Sequence, residues 1–234
     1  MKLQKVAVSI SLCACLAACT SRQNAAPLTD AQNEAKTRLE TQMKDAAQTT
    51  ATYHAMDNPT LLTHLVEQSK ALREPFNSLS YRELRTRTNV EPNTLTALVR
   101  GNQDVGGLLP LLLLRLLDSK SYLAVSPEMR AKILTDSLVA SKTFNTWGLP
   151  NAYLEDASKA MIETGRSAVP ALRRMLADTR PAPIFGSKEA MVAQQYNYRL
   201  CDYALFFLKQ IAGDTQFMLP KTAEERDALI KAEK

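Results

Sequence analysis

Cysteine and histidine are scarce in this chain, which limits the nucleophilic chemistry it can perform. Three of its four cysteines lie within the first nineteen residues, leaving Cys201, and the histidines are His54 and His64. Both histidines are distant from Cys201 in sequence, and Cys201 lies in a run of large apolar residues. A cysteine in such a run behaves as a small hydrophobic residue. We therefore expect Cys201 to be buried and to have no catalytic role.

Carboxylates and metal ligands give no stronger signal. Glu155 and Asp156 are adjacent and could serve as an acid and a base, but neighbouring carboxylates on a surface helix more often only interact with solvent. Two histidines ten residues apart fall on different helical faces and do not form a zinc site. The sequence also lacks a G-x-S-x-G motif, a phosphate-binding glycine loop and a paired-histidine motif. It therefore predicts no catalytic residue, no metal site and no cofactor.

The N-terminal residues have the pattern of an export signal. Lys2 and Lys5 precede a short apolar run that ends in Leu16-Ala17-Ala18-Cys19. A basic start, a short apolar stretch and small residues before a cleavage site are typical of a secretory signal, and the run is too short to span a bilayer. Residues 16–19 resemble the lipobox of bacterial lipoproteins, in which the cysteine is lipidated after cleavage just before it. The alternative is an ordinary signal peptide that contains cysteines.

The resemblance implies that Cys19 carries a lipid with more than one acyl chain, which is enough for stable membrane anchoring. Thr20 follows Cys19, and by resemblance to Gram-negative lipoproteins the absence of Asp there implies the outer membrane, with the body facing the periplasm. The formal net charge is +5, of which Lys2 and Lys5 contribute two, and basic and acidic residues alternate without a basic run. Nucleic acid is therefore not an expected partner.

These features divide the chain into three parts. We expect residues 1–18 to form a lipoprotein signal peptide, residues 19–58 to hold the lipidated cysteine, a tether and a spacer helix, and residues 59–234 to form a helical-repeat domain. Residues 29–50 are good helix formers whose only large apolar side chains are Leu39 and Met43. Such a segment is an exposed helix or a semi-rigid spacer.

Apolar periodicity in the remaining chain predicts helices and no sustained strand alternation, which indicates an all-α fold. Ser126 followed by Pro127 is typical of a helix start, and Thr222 with Glu225 forms the capping box of a terminal helix. We expect helices over roughly 59–72, 80–87, 93–100, 106–118 and 126–141, then a helix hairpin around Gly165 and a helix ending near Gly213.

An internal repeat links the most apolar part of the domain to a later segment. At an offset of sixty residues, the first copy (108–120) and the second copy (168–180) share Pro110 with Pro170 and Asp118 with Asp178. The first copy has leucine on nearly every face of its helix. Its apolar run is nevertheless far shorter than the roughly twenty residues that a membrane span needs. We therefore expect a buried central helix rather than a membrane segment.

The second copy resembles the HEAT-like helical repeats of bacterial envelope proteins. The similarity rests on G-x-x-A-V-P-A-L and a following leucine, from Gly165 to Leu176, and on the next first helix at residues 198–204. It covers about residues 150–213 and extends to 92–141. The resemblance implies a short, irregular stack of helix hairpins of the α-solenoid type, because the offset exceeds the standard repeat of about 40–47 residues. It also implies a scaffold that binds proteins or peptides.

Two loops are candidate binding edges because they mix aromatic residues with proline and glycine. They cover residues 143–153 and 179–187, and the candidate contact residues are Trp147, Tyr153, Ile184 and Phe185. The alternative is that these side chains close the ends of the helical stack.

The expected function is therefore a lipid-anchored periplasmic scaffold that binds a protein partner in the envelope. A first alternative is an immunity or inhibitor lipoprotein that holds an envelope-targeting enzyme inactive. A second alternative is an envelope hydrolase whose carboxylate site, with Glu155 and Asp156 as candidates, is not recognisable from the sequence.

Overall fold

A computed structural model of the chain describes residues 29–142, 146–183, 191 and 195–233. These residues are mostly helical, with a single short pair of antiparallel strands among them, so the all-α fold class is confirmed. The chain divides into two compact units, residues 1–48 and residues 49–234. The buried core of the described residues lies in the second unit.

The helices are labelled here in chain order. They are α1 (Asp30–Ala55), α2 (Asn58–Lys70), α3 (Leu79–Leu84), α4 (Pro92–Gly101), α5 (Leu108–Leu117), α6 (Ser119–Ala124), α7 (Pro127–Ala140), α8 (Asp156–Thr164), α9 (Val169–Met175), α10 (Leu200–Ile211) and α11 (Ala223–Glu233). The ends of α2 to α5 and of α7 lie within a turn of the predicted bounds, α1 extends five residues beyond residue 50, and α6 was not predicted. Short 3₁₀ turns, Val105–Gly107 and Gly165–Ala168, precede α5 and α9.

Helix α1 is exposed, as its composition predicts. It is 26 residues long with no buried residue, which at the α-helical rise corresponds to about 39 Å. Leu39 and Met43 are both exposed. The stability of α1 over residues 29–48 therefore comes from helix propensity and local pairs such as Lys36 with Glu40 rather than from core burial.

Helix α5 is the buried central helix predicted from the leucine-rich first copy. Every residue from Leu108 to Leu114 is buried, because α2, α4, α6, α7 and α8 all pack against this helix. Burial of leucine side chains stabilises the fold by about 25 cal/mol per Å² of apolar surface, so α5 contributes substantially to the core. None of the helices in the described residues is long and apolar enough to cross a membrane.

The two copies of the internal repeat share local structure as well as sequence. In each copy a 3₁₀ turn leads into the helix that contains the matched proline. At the far end, Asp118 and Asp178 each accept a hydrogen bond from the backbone amide two residues further on, at 3.0 Å and 3.2 Å. Matched residues therefore lie at the start of both helices and make the same local hydrogen bond after them, although α5 continues to Leu117 and α9 ends at Met175.

Helix α10 is more deeply buried than its pattern predicts. The sequence indicates one apolar face, but every residue from Leu200 to Leu208 is buried, because α8, α9 and α11 pack around it. Asp202 at the start of α10 has no exposed surface. It lies 3.0 Å from Arg199 Nη2 and 3.1 Å from Arg226 Nε of α11, the latter contact being an ion pair without hydrogen-bond geometry. The ion pair between Arg199 and Asp202 therefore extends to the terminal helix.

A short antiparallel hairpin is the exception to the predicted absence of strands. Strand β1 (Gly148–Leu149) pairs with β2 (Tyr153–Leu154), with Gly148 opposite Leu154 and Leu149 opposite Tyr153. Two residues per strand are too few to produce a period-two pattern, which explains why alternation did not reveal them. The hairpin occupies the loop that the sequence marks as a binding edge.

Candidate functional site

The predicted contact residues differ in their accessibility. Tyr153 is at the surface, with 38% of its area exposed, whereas Trp147 has no exposed area. Ile184 and Phe185 lie outside the described residues, and so does Cys19. Tyr153 is therefore the predicted contact that the described part of the chain presents to solvent.

The expectation that Trp147 contacts a partner is corrected by its position in the core. Its ring lies 6.1 Å from that of Phe207, measured between centroids. Its Nε1 donates a 2.9 Å hydrogen bond to Ser141 Oγ, so the indole polar group is satisfied inside the protein. A large aromatic residue with its N–H paired internally is typical of a core position. Trp147 thus holds the base of the hairpin against α10.

The turn of the hairpin is fixed by two residues with left-handed backbone. Gly148 has a φ of 76°, and a Cβ there would lie 2.4 Å from the Tyr153 carbonyl oxygen, so only glycine fits. Asn151 has a φ of 66°, a conformation that asparagine tolerates better than most residues. The Asn151 side-chain amide exchanges two 2.8 Å hydrogen bonds with the backbone of Leu219. The hairpin is therefore tied to the segment between α10 and α11.

Two buried tyrosines support the hairpin from α10 and the residues just before it. Tyr203 Oη donates to the Gly148 carbonyl oxygen at 2.8 Å, and Tyr198 Oη donates to the Pro150 carbonyl oxygen at 3.0 Å. Burial is the main cause that raises the pKa of both hydroxyls well above the usual value. Both therefore stay protonated and act as permanent donors that hold the turn in place.

A groove lies between this hairpin and the segment after α10, with a volume of about 260 Å³. We call it the hairpin groove. Phe206 and Leu149 are buried in its floor, while Tyr153 and Met218 are exposed at its rim. None of its lining residues carries a charge; they are Leu149, Asn151, Ala152, Tyr153, Leu154, Phe206, Gln210, Thr215, Gln216, Phe217 and Met218. Such a lining favours an uncharged apolar group with a few hydrogen-bonding atoms around it.

Sequence reasoning missed the residues that complete this groove. Phe217 and Met218 follow Gly213 and precede Pro220, which is the same mixture of large apolar and turn residues that marks the hairpin loop. Applied to residues 213–220, that criterion identifies Met218, which is 61% exposed. Nothing in the sequence places this segment beside Tyr153, because the contact depends on the packing of α10 and on Asn151.

Cys201 is buried as predicted. Burial, followed by the charge of Asp202, raises the pKa of its thiol to about 11, so it is not a thiolate at neutral pH. His54 Nδ1 lies 3.2 Å from Glu83, and His64 Nδ1 lies 3.2 Å from Glu67. The histidines therefore pair with nearby carboxylates rather than with Cys201.

The carboxylate candidates belong to a charge network between two helices. Asp156 Oδ1 lies 3.6 Å from Arg115 Nη1 of α5. The same guanidinium makes two hydrogen bonds to Glu163, at 2.6 Å and 2.8 Å. Glu155 immediately precedes α8 and makes no side-chain capping bond. The geometry of Asp156 thus fits a structural ion pair that joins α5 to α8.

Across the residues that the structure describes, no group of histidine, cysteine and carboxylate side chains could hold a metal ion. Comparisons with protein-family models, with curated proteins and with solved structures found no match for this chain.

Proposed function

We propose that this chain is a lipoprotein of the bacterial envelope whose helical domain binds another protein through the hairpin groove. The observation that carries this proposal is the uncharged, aromatic lining of the groove, with Tyr153 and Met218 exposed at its rim. Tyrosine and methionine are enriched at protein interfaces, and charged residues are depleted from the cores of such interfaces.

The size of the groove favours a side chain of a partner over a complete small molecule. Its volume of about 260 Å³ is below the roughly 300–1,000 Å³ that is usual for small-molecule sites. A single large apolar side chain in a well-packed pocket can supply several kcal/mol of binding energy at an interface. The occupant that we propose is therefore an uncharged apolar side chain on the surface of a protein partner.

A groove that binds a protein fits a fold built from stacked helix hairpins. The matched local structures of the two repeat copies support a HEAT-like, α-solenoid arrangement, whose broad side surface serves protein recognition. The hairpin groove lies at an inter-helix loop, where binding residues commonly occur on a rigid scaffold.

Location in the outer membrane, with the domain facing the periplasm, follows from the proposed lipid on Cys19 and from Thr20 after it. This part is tested by growth of a Gram-negative host with an alkyne-labelled fatty acid. Full-length protein should incorporate the label, Cys19→Ala should lose it, and Cys15→Ala should keep it. Label retained in Cys19→Ala would remove the lipid anchor from the proposal.

Partner binding is tested by photo-crosslinking from the groove in intact cells. A benzophenone amino acid at Met218 should yield one discrete adduct, whereas the same group at Leu123, which is 64% exposed outside the groove, should not. Tyr153→Ser should weaken the Met218 adduct at least about tenfold, in line with loss of an aromatic anchor. Equal adducts from both positions, or no effect of Tyr153→Ser, would contradict the proposed groove.

The identity of the crosslinked protein separates the two binding functions. An envelope enzyme whose activity falls when this protein is added would favour an immunity or inhibitor role. A component of an envelope assembly, without enzyme activity, would favour a scaffold. In the first case, cells should tolerate deletion of this protein until the enzyme is present.

A further inference from the structure

A second cavity lies within residues 49–234, and its chemistry differs from that of the hairpin groove. It has a volume of about 410 Å³, which falls within the range of small-molecule sites. We call it the α1–α2 cleft, since it lies between the end of α1, helix α2 and the segment that follows α2. Its polar lining consists of Thr49, Tyr53, His64, Glu67, Gln68, Arg73 and Asn77.

The end of α2 places an arginine at this cleft through a strained turn. The Leu72 amide bonds the Ser69 carbonyl oxygen at 2.9 Å, and the Arg73 amide bonds the Gln68 carbonyl oxygen at 3.0 Å. This is the Schellman ending of a helix, in which the left-handed position usually holds glycine. Leu72 occupies it here with a φ of 56°. Strained residues of this kind are concentrated at binding sites.

The Arg73 guanidinium is available for a ligand. It makes no hydrogen bond or ion pair with any residue in the part of the chain that the structure describes. A guanidinium presents a planar fork of donors that matches the two oxygens of a carboxylate. The strained turn therefore presents a free oxyanion-binding group at the edge of a cavity.

A negatively charged residue, Glu67, lines the same cleft. Glu67 Oε2 lies 3.2 Å from His64 Nδ1, and the Glu67 side chain is 64% exposed. Its carboxylate can therefore accept further hydrogen bonds from an ammonium group. It also disfavours a phosphate dianion, because a like charge in the same cavity opposes binding of a doubly charged anion.

Neutral groups between these charges are already positioned by internal hydrogen bonds. Gln68 Nε2 donates to Tyr53 Oη at 3.0 Å, and Gln68 Oε1 accepts from Ser78 Oγ at 2.5 Å. The Tyr53 ring lies 5.8 Å from the His64 ring, between centroids. Because Tyr53 Oη accepts from Gln68, its own proton is directed toward another acceptor. A site with fixed polar groups binds at a lower entropic cost.

We propose that the α1–α2 cleft binds the zwitterionic head of an amino acid, with the ligand carboxylate on Arg73 and the ligand ammonium on Glu67. The negative and positive groups of the ligand match the opposite charges of Arg73 and Glu67 in the lining. The Tyr53 hydroxyl can donate a further hydrogen bond to the ligand carboxylate. The side chain of the amino acid would extend along the rings of Tyr53 and His64.

Binding is measured with detergent-solubilised full-length protein, by calorimetry or by saturation-transfer NMR, using four probes. Alanine should bind. Alaninamide, which lacks the carboxylate, and N-acetylalanine, which lacks the ammonium, should each bind at least about tenfold more weakly, since each loses one charged pair. Inorganic phosphate should bind more weakly than alanine. Preference for phosphate, or equal binding of alanine and N-acetylalanine, would overturn the zwitterion site.

Variants test whether the signal comes from this cleft. Arg73→Gln and Glu67→Gln should each reduce alanine binding at least about tenfold, and Arg73→Lys should reduce it less, because it keeps the charge but loses the fork. Arg100→Gln, at the end of α4, is the matched control and should bind as the parent does. Circular dichroism melts show whether each variant is folded. Unchanged binding in folded Arg73→Gln, or no binding of alanine to the parent up to its solubility, would refute the proposal.

Discussion

Helices α5 and α9 occupy equivalent positions in the two copies of the repeat, but their surroundings differ. Both follow a 3₁₀ turn and contain a matched proline, and a matched aspartate lies after each helix. Every residue from Leu108 to Leu114 of α5 is buried, whereas α9 buries only Leu172 and Met175. The same local signals therefore start a helix in each copy, and the number of neighbouring helices determines how many of its faces must be apolar.

The neighbours explain this difference. Helix α5 contacts helices on all sides, among them α2, α4, α7 and α8, while α9 packs mainly between α7 and α10. Arg173 and Arg174 accordingly face solvent on α9, at the positions that Leu113 and Leu114 occupy on α5. Substitutions at matched positions of α5 and α9 should therefore change the free energy of unfolding by very unequal amounts.

The largest effect is expected from an arginine on the buried helix. Leu113 has no exposed surface, so Leu113→Arg would bury an unpaired charge and should destabilise the fold by more than about 4 kcal/mol. Leu113→Met, which conserves volume, should cost less than about 1.5 kcal/mol. Chemical denaturation measures both changes. A folded Leu113→Arg protein of near-parental stability would show that α5 is less enclosed than the structure indicates.

A smaller effect is expected at the turns before the two helices. A Cβ on Gly107 would lie 2.1 Å from the Asn102 carbonyl oxygen and 2.9 Å from Ile133 Cδ1. The matched residue, Ser167, has room for its side chain and bonds Glu128 at 3.2 Å. Gly107→Ser should therefore cost roughly 1–3 kcal/mol from overpacking.

The control is the reverse exchange, Ser167→Gly, which should change the free energy of unfolding by well under half of the Gly107→Ser effect. Equal changes in the free energy of unfolding at the two turns would indicate that the two turns are packed equally tightly.

The ion pair between α5 and α8 should contribute less, and it should depend on pH. Hydrogen bonds from Arg115 are the main cause that lowers the pKa of Glu163. Because Glu163 is nearly half exposed, Glu163→Gln should cost only about 0.5 kcal/mol at pH 7.

The sign of the pH dependence follows from the lowered pKa. The stabilisation is complete above the unfolded-state pKa of about 4.3 and is lost as the pH falls through the lower folded-state pKa. Thermal melts of parent and Glu163→Gln should therefore differ at pH 7 and converge below about pH 4. A difference that persists or grows in acid would assign the stabilisation to another contact.

The smallest effect is expected from a leucine on the exposed face of α9. Arg173 is solvent-exposed and makes no ion pair with the other described residues. Arg173→Leu should change the free energy of unfolding by less than about 0.5 kcal/mol. A loss of several kcal/mol in denaturation would mean that α9 is covered by a neighbour that its exposure does not reveal.

Much of the helical framework follows from sequence signals that act over a few residues. Ser126 caps α7 with its hydroxyl, and Thr222 and Glu225 form the predicted capping box, because a cap needs only neighbours three residues away. The candidate site was predictable only in part. Tyr153 was identified by composition, but Trp147 shares that composition and is buried. Composition cannot distinguish an aromatic rim residue from an aromatic core residue.

The sequence by itself determined the all-α class, most of the helix ends, the burial of α5 and Cys201, and the repeat that relates α5 to α9. These depend on local hydrogen bonds and on apolar periodicity, which a single segment contains. Tertiary structure alone decided which aromatic residues face solvent and that Asn151 bonds the hairpin to Leu219. It also decided that the left-handed turn at Leu72 places Arg73 at the α1–α2 cleft. Those outcomes depend on contacts between residues far apart in the chain, whose partners no local pattern specifies.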